Sequence, residues 1–130
     1  MVEKNISLTQ AEWSVMECLW EDGLHTGREV TQRMEKNCGW SRSTTLTLLS
    51  RLEAKGAVGS DSEKRGPKVF FPLLKREDAA LQETEDFLSR VYQGSLSLMV
   101  SALTKKQALS REELDQLYDL LKGLEEERHD

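Results

Sequence analysis

The chain has 130 residues, 38% of them hydrophobic and 32% charged, with a net charge of −5. That length holds one medium domain or a small domain with an oligomerising extension, and the lean apolar content suits a helical protein that shares surface with a partner chain. No apolar run approaches the ~18 residues that span a bilayer, and the start Met1-Val2-Glu3-Lys4-Asn5 lacks signal-peptide architecture, so neither membrane insertion nor export is expected.

In chain order, Leu8-Thr9-Gln10-Ala11-Glu12 opens a helix that runs through Trp20. Leu8, Ala11, Val15, Met16, Leu19 and Trp20 form its core stripe, with Trp13 at the margin. Glu21-Asp22-Gly23 stops it, and Thr26-Gly27-Arg28-Glu29 reads as a capping box that starts a second, short helix with Val30 and Met34 inward. Asn37-Cys38-Gly39 breaks that helix. Cys18 and Cys38 sit in no metal-ligand spacing, and Cys18 falls near the first apolar stripe as a small core residue. A free-thiol pair of this kind points to a reducing cytoplasm, with a Cys18–Cys38 redox switch as the alternative.

The third helix, from Trp40-Ser41 to a left-handed stop at Gly56, is the most informative segment. Thr45, Leu48, Leu49 and Leu52 follow the i, i+3, i+4, i+7 spacing of a buried stripe. The other side carries Ser43, Thr47 and Ser50, flanked by Thr44, Arg51 and Leu46, with no acid before Glu53. Ordinary surface helices are laced with Glu and Lys. Short hydroxyl side chains let a helix approach DNA closely and reach base edges or phosphates without bringing negative charge into the groove. The alternative is a partly exposed helix that is merely rich in Ser and Thr.

Two short strands follow, Ala57-Val58-Gly59-Ser60-Asp61-Ser62 and Lys68-Val69-Phe70-Phe71-Pro72-Leu73, joined by the turn Glu63-Lys64-Arg65-Gly66-Pro67. Three helices and a basic-tipped hairpin make a winged helix-turn-helix domain over 1–74, in which the third helix enters the major groove and the hairpin lies along the backbone. Charge distribution agrees. Residues 1–74 hold ten basic and ten acidic residues, whereas 75–130 hold eight and thirteen; within 40–76 the count is eight basic against three acidic. A local excess of five positive charges in an acidic chain is an electrostatic footprint for a polyanion. Thr44, Thr47, Ser43 and Leu46 are the candidate base readers, and Arg42, Arg51, Lys64, Arg65 and Lys68 the candidate phosphate contacts.

Residues 75–130 carry no strand signal and read as a helical dimerisation domain, giving a mainly α protein with a small β-wing. A helix over Glu77–Gln93 places Ala80, Leu81, Thr84, Phe87, Leu88, Val91 and Tyr92 on one face, with Gly94 as its stop. Ser95 caps a helix with Leu96, Met99, Val100 and Leu103 at i, i+3, i+4, i+7. Ser110-Arg111-Glu112-Glu113 is a second capping box, leading into Leu114, Leu117, Leu120, Leu121 and Leu124 with Tyr118 beside them. Three short helices cannot bury such stripes against one another completely, and a C2 partner is the economical answer. Phe87, Val91, Leu96, Met99, Val100, Leu103, Leu117, Leu121 and Leu124 are the expected interface. The alternative is a last helix folded back on its own winged domain.

These residues resemble the penicillinase and methicillin-resistance repressor family (BlaI/MecI type), which also includes copper-responsive repressors. The matching pieces are Ala11-Glu12-Trp13 with Val15-Met16 and Leu19-Trp20; Trp40 followed by Thr44, Thr47-Leu48-Leu49, Arg51-Leu52 and Lys55-Gly56; and Phe71-Pro72-Leu73 at the wing's end. Further on come Phe87-Leu88, Tyr92-Gln93-Gly94-Ser95-Leu96, and Leu109-Ser110 with Glu112-Glu113-Leu114, so the likeness spans about residues 6–124. It implies a homodimer that binds a palindromic double-stranded DNA operator and represses transcription. In the antibiotic-responsive branch it further implies inactivation by a cut in the dimerisation module, triggered by a membrane-bound sensor with a zinc-protease domain. That bond aligns near Ala102–Leu103, where the best-studied members carry Asn-Phe. The copper branch's C-terminal Cys-x-Cys pair is missing from Leu120–Asp130, so copper sensing is not implied. Leu46 stands where relatives often have a basic residue; it can touch a thymine methyl but cannot make a bidentate contact to guanine.

An enzyme is not expected, and neither is a cofactor or a metal. His25 lies in a loop and His129 in the tail, with no nucleophile or acid arranged around either, and there is no Gly-rich phosphate loop. Glu112-Glu113 and Glu125-Glu126-Glu127 read as a cap and a solvated tail. The rival function is a winged-helix module whose third helix packs on another protein.

Overall fold

The computed structural model describes residues 6–21, 25–62 and 66–128. Six helices and three short strands run in the order α1 (Gln10–Trp20), β1 (His25–Thr26), α2 (Gly27–Cys38), α3 (Arg42–Lys55), β2 (Val58–Asp61), β3 (Val69–Pro72), α4 (Arg76–Tyr92), α5 (Leu96–Lys105) and α6 (Arg111–Glu127). The fold is mainly helical with a small antiparallel wing, as the periodicities predict.

Local chemistry sets the helix ends. Thr9 accepts from the Glu12 N–H at 3.1 Å while the Glu12 carboxylate accepts from the Thr9 N–H at 2.8 Å, a reciprocal cap on α1. Thr26 and Glu29 repeat the arrangement on α2. Gly39 ends α2 at φ 72° and Gly56 ends α3 at φ 84°, the left-handed region in which a side chain is strained. Both stops fall at the glycines expected to make them.

The sheet has the order β1-β3-β2, all antiparallel, with His25 opposite Phe70 and Gly59 opposite Phe71. The hairpin strands are as expected, each one residue shorter at either end. The third strand is a correction: His25 is not in a loop but in β1. It is buried, and its Nε2 lies 3.2 Å from the Glu21 carbonyl oxygen, a bond that requires the proton on Nε2. Two residues are too few for a period-2 pattern, and their partner lies some forty residues further along the chain, so nothing local announces the strand.

Val15, Met16 and Leu19 of α1, Val30 and Met34 of α2, and Leu48, Leu49 and Leu52 of α3 meet under the sheet, closed by Val58, Phe70, Leu74 and Ala79. Ala79 rather than Ala80 is the inward alanine of α4: Ala80 is exposed. Residues Met1–Glu85 form one compact unit and Asp86–Asp130 another, so the first turns of α4 belong with the winged helices.

In the second unit Ser95 accepts from the Leu98 N–H at 3.2 Å, and Ser110 with Glu113 forms the expected capping box on α6. The apolar residues are poorly covered. Among the described residues from 86 onward none is buried, and Leu121 and Leu124 remain 50% and 54% exposed.

Candidate nucleic-acid interface

Burial of Thr45, Leu48, Leu49 and Leu52 fixes the roll of α3 about its axis. Arg42, Ser43, Thr44, Thr47, Ser50 and Arg51 consequently lie on the solvent side, all exposed. Ser41 caps the helix by accepting from the Thr44 N–H at 3.3 Å, and its Oγ lies 3.2 Å from Ser43 Oγ and 3.0 Å from Thr44 Oγ1. Hydroxyls thus cluster at the end of the helix where the backbone dipole is positive, and no acid occupies the first turn to neutralise it. Ser43, Thr44, Thr47, Leu48 and Arg51 line a shallow concavity of about 260 Å³.

The basic residues divide by what they already hold. Arg42 and Arg51 make no ion pair among the described residues. Lys55 is committed: its Nζ donates to Glu12 Oε1 at 2.6 Å and to the Ser7 carbonyl at 2.9 Å. Lys68 is shared, 3.6 Å from Glu53 and 5.2 Å from the Phe70 ring centroid, with half its side chain still in solvent. Lys64 and Arg65 lie outside the described residues. The footprint for an anion is therefore narrower than the charge count along the sequence.

Glu12 is an acid that apolar periodicity does not single out. It is almost fully buried on an otherwise apolar face. Burial pushes its pKa up, but the hydrogen bond and charge of Lys55 and the two bonds with Thr9 prevail and hold it below the ordinary 4.5. The pair ties the start of α1 to the last turn of α3. The Thr9-x-x-Glu12 spacing is a readable signal for the cap, although not for the lysine that reaches it across 43 positions.

Leu46 is half-buried and packs on the core, unlike its hydroxyl neighbours. It borders a groove of about 420 Å³ between the start of α2, α3 and the sheet, floored by Leu49 and Phe70 and rimmed by Arg28, Arg42, Ser50 and Lys68. Arg28 is a further cation, absent from the candidates that the sequence singles out. It stands in α2, outside the basic stretch, and only the helix-turn-helix geometry carries it to the reading helix. Its place in the first turn after the Thr26 cap is the one available clue.

In the second unit Phe87, Val91, Leu96, Leu103, Leu121 and Leu124 are exposed, and Met99, Val100 and Leu117 partly so. The Phe87 ring meets Tyr92 edge-on, 6.0 Å between centroids, and Arg90 sits 5.8 Å over it. Ala102 and Leu103 lie within α5, so the bond between them must leave the helix before it can extend into a protease cleft. Both cysteines are free thiols; Cys18 is buried, which pushes its pKa up, and Cys38 is exposed at the end of α2.

A three-helix head with an acid-free first turn on its hydroxyl-lined third helix, followed by an antiparallel wing, defines a winged helix-turn-helix protein. The chain belongs to the penicillinase repressor family, whose model matches residues 8–123. It is 32% identical to the penicillinase repressor of Bacillus licheniformis over 120 residues, covering 92% of this chain and 93% of that one. It is 27% identical to the methicillin resistance regulatory protein MecI of Mammaliicoccus sciuri over 123 residues, 93% of this chain and 98% of that one. Among solved structures it is similar to the DNA-binding domain of the repressor BlaI, with a TM-score of 0.52 at 31% identity over 60% of this chain and 93% of that chain. The Bacillus licheniformis BlaI monomer in complex with the blaP half-operator gives the same TM-score and identity over 59% of this chain and 93% of that one. No helix among the described residues is long and apolar enough to cross a membrane.

Proposed function

We propose that this chain is a dimeric, cytoplasmic transcriptional repressor that binds a palindromic operator, one winged head to each half-site. The observation that carries the reading is the exposed face of α3. There, hydroxyls and two arginines without an ion pair among the described residues stand clear of any acid in the first turn. The similar BlaI monomer, solved in complex with the blaP half-operator, supports operator DNA as the partner. Ser43, Thr44 and Thr47 read base edges, while Arg42, Arg51 and Lys68 hold phosphates together with Lys64 and Arg65. Leu46, at the edge of the groove, meets a thymine methyl.

Dimerisation belongs to the helical region after Glu85, within the 75–130 segment that the sequence marks out. A second copy covers the apolar faces of α4, α5 and α6, through Phe87, Val91, Leu96, Leu103, Leu121 and Leu124 with Met99, Val100 and Leu117. Coupling two weak half-site contacts into one event gives the complex its affinity, through effective concentration. A signal that loosens or cuts this region releases the operator without touching the reading face. A membrane sensor-protease acting near Ala102–Leu103 is the form of signal that the family resemblance suggests.

The test is a mobility-shift titration with duplexes selected by the chain itself from a random pool. Binding weakens steeply with salt, because each neutralised phosphate releases counterions. Thr47→Ala narrows the gap between selected and unselected duplexes, while Lys64→Ala and Arg51→Ala weaken both alike. Indifference to salt and to heparin favours the protein-docking alternative and overturns the operator reading.

A further inference from the structure

Glu53 is the single acid of α3, and it stands where the candidate reading face meets the wing. It lines the groove of about 420 Å³ together with Arg28, Arg42 and Lys68. A bare carboxylate at that edge would repel a phosphate backbone, so what holds it decides what it does. Both arms of the hairpin hold it. From β2, Ser60 Oγ donates to Oε2 at 2.7 Å, and just ahead of β3, Lys68 brings Nζ to 3.6 Å from Oε1. The same ammonium lies 5.2 Å from the Phe70 ring centroid, and the hairpin register sets Phe70 opposite Ser60. Of the three cations on the groove, only Lys68 pairs with Glu53 among the described residues. An acid that merely solubilised a helix end would not divide its two oxygens in this way.

The two contacts differ in permanence. The hydroxyl bond is short and partly buried, whereas the ion pair is open, with 48% of the Lys68 side chain and 30% of the Glu53 side chain facing solvent. Such a pair is weak, and a phosphate can take the carboxylate's place at the ammonium. Ser60 keeps hold of Glu53 when that happens. We propose that Glu53 is a positioning residue that sets specificity: it parks Lys68 on the wing and releases it only to a phosphate at the right reach from α3. On an ill-fitting duplex the exchange is not compensated, and the lysine stays on its carboxylate. On a well-fitting one the lysine crosses. Glu53 itself touches no base and no phosphate. The inference rests on the operator-DNA reading of this face.

Glu53→Gln separates the two contacts, because an amide oxygen still accepts from Ser60 but no longer holds Lys68 by charge. The full-length chain is titrated in mobility-shift assays across a salt series. On an unselected duplex the variant gains one phosphate contact: the slope of log K against log salt steepens by about 0.9, and binding at about 0.1 M salt tightens about eightfold. A duplex selected from a random pool tightens only about twofold, so discrimination narrows about fourfold. In a Lys68→Met background, Glu53→Gln changes either affinity by less than about twofold, since the parked group is gone. An unchanged slope or unchanged discrimination overturns the proposal. So does an equal gain in the Lys68→Met background, which would mean that the carboxylate repels DNA directly. Weaker binding together with a lowered urea midpoint assigns Glu53 to the fold alone and overturns it as well. Wild-type binding that ignores salt removes the DNA reading itself, a failure distinct from the other three.

Discussion

The head and the region after Glu85 are built from helices of similar quality, with reciprocal caps and clean apolar stripes, yet they end differently. In the head, α1, α2 and α3 converge on residues such as Leu52 and Met16 that have no solvent contact. In α5 and α6 no residue is buried, although their spacing is as regular. Amphipathicity thus specifies a helix and a face but not what covers the face. The head finds its cover within its own sequence, because α3 and the wing fold back over α1. The later helices leave theirs exposed, the surface that the proposed dimer would cover with a second copy.

That contrast can be broken most forcefully at Leu52. Leu52→Ala lowers head stability by about 3 kcal/mol through lost transfer energy and an unfilled cavity. Urea unfolding followed by tryptophan fluorescence reads it cleanly, since Trp13, Trp20 and Trp40 are all in the head. Leu121→Ala leaves that transition in place and acts only on the association equilibrium. A loss as large in the head from Leu121→Ala defeats the contrast.

Lys55→Met comes next. It strands the Glu12 carboxylate, whose side chain is only 2% exposed, and costs about 3 kcal/mol near neutral pH. The wild-type pair also has a pH signature. Because Glu12 is held below 4.5 in the folded state, its contribution is full above that value and is lost as pH falls through the lowered one. In Lys55→Met only the Thr9 bonds still oppose burial at Glu12, so its pKa rises and the acid-side loss moves to higher pH. Unfolding midpoints measured from about pH 3 to 7 on both proteins check the sign.

Dilution sharpens the comparison further. Tenfold dilution destabilises a dimer-dependent transition by about 1.4 kcal/mol, seen as loss of helical circular dichroism, while the tryptophan-reported transition stays put. The smallest effect has the opposite sign. The Thr45 hydroxyl is buried without a partner among the described residues, so Thr45→Val stabilises the head by about 1 kcal/mol in the same urea assay.

Helix identities, both left-handed glycine stops and the roll of α3 are legible in the amino-acid order alone, because caps and 3.6-residue spacing are local signals. What escapes such a reading is non-local. Strand β1 exists only through Phe70 and Val69, and the Lys55 partner of Glu12 approaches from the far end of another helix. Ala79 replaces Ala80 because the first turn of α4 packs on α1, out of phase with the stripe of its later turns. The candidate reading face is legible in the residues Arg42–Arg51. Its boundary is not: Leu46 leans into the core and Arg28 joins from α2.

The Glu12–Lys55 tie has one more implication, for purification and reuse. Dissolved ions weaken contacts at an open protein–DNA surface far more than those withdrawn from solvent. A salt step that strips nucleic acid from the proposed reading face of α3 therefore acts less on the strut behind it, whose carboxylate is only 2% exposed. The head that elutes from such a step keeps the start of α1 tied to the last turn of α3.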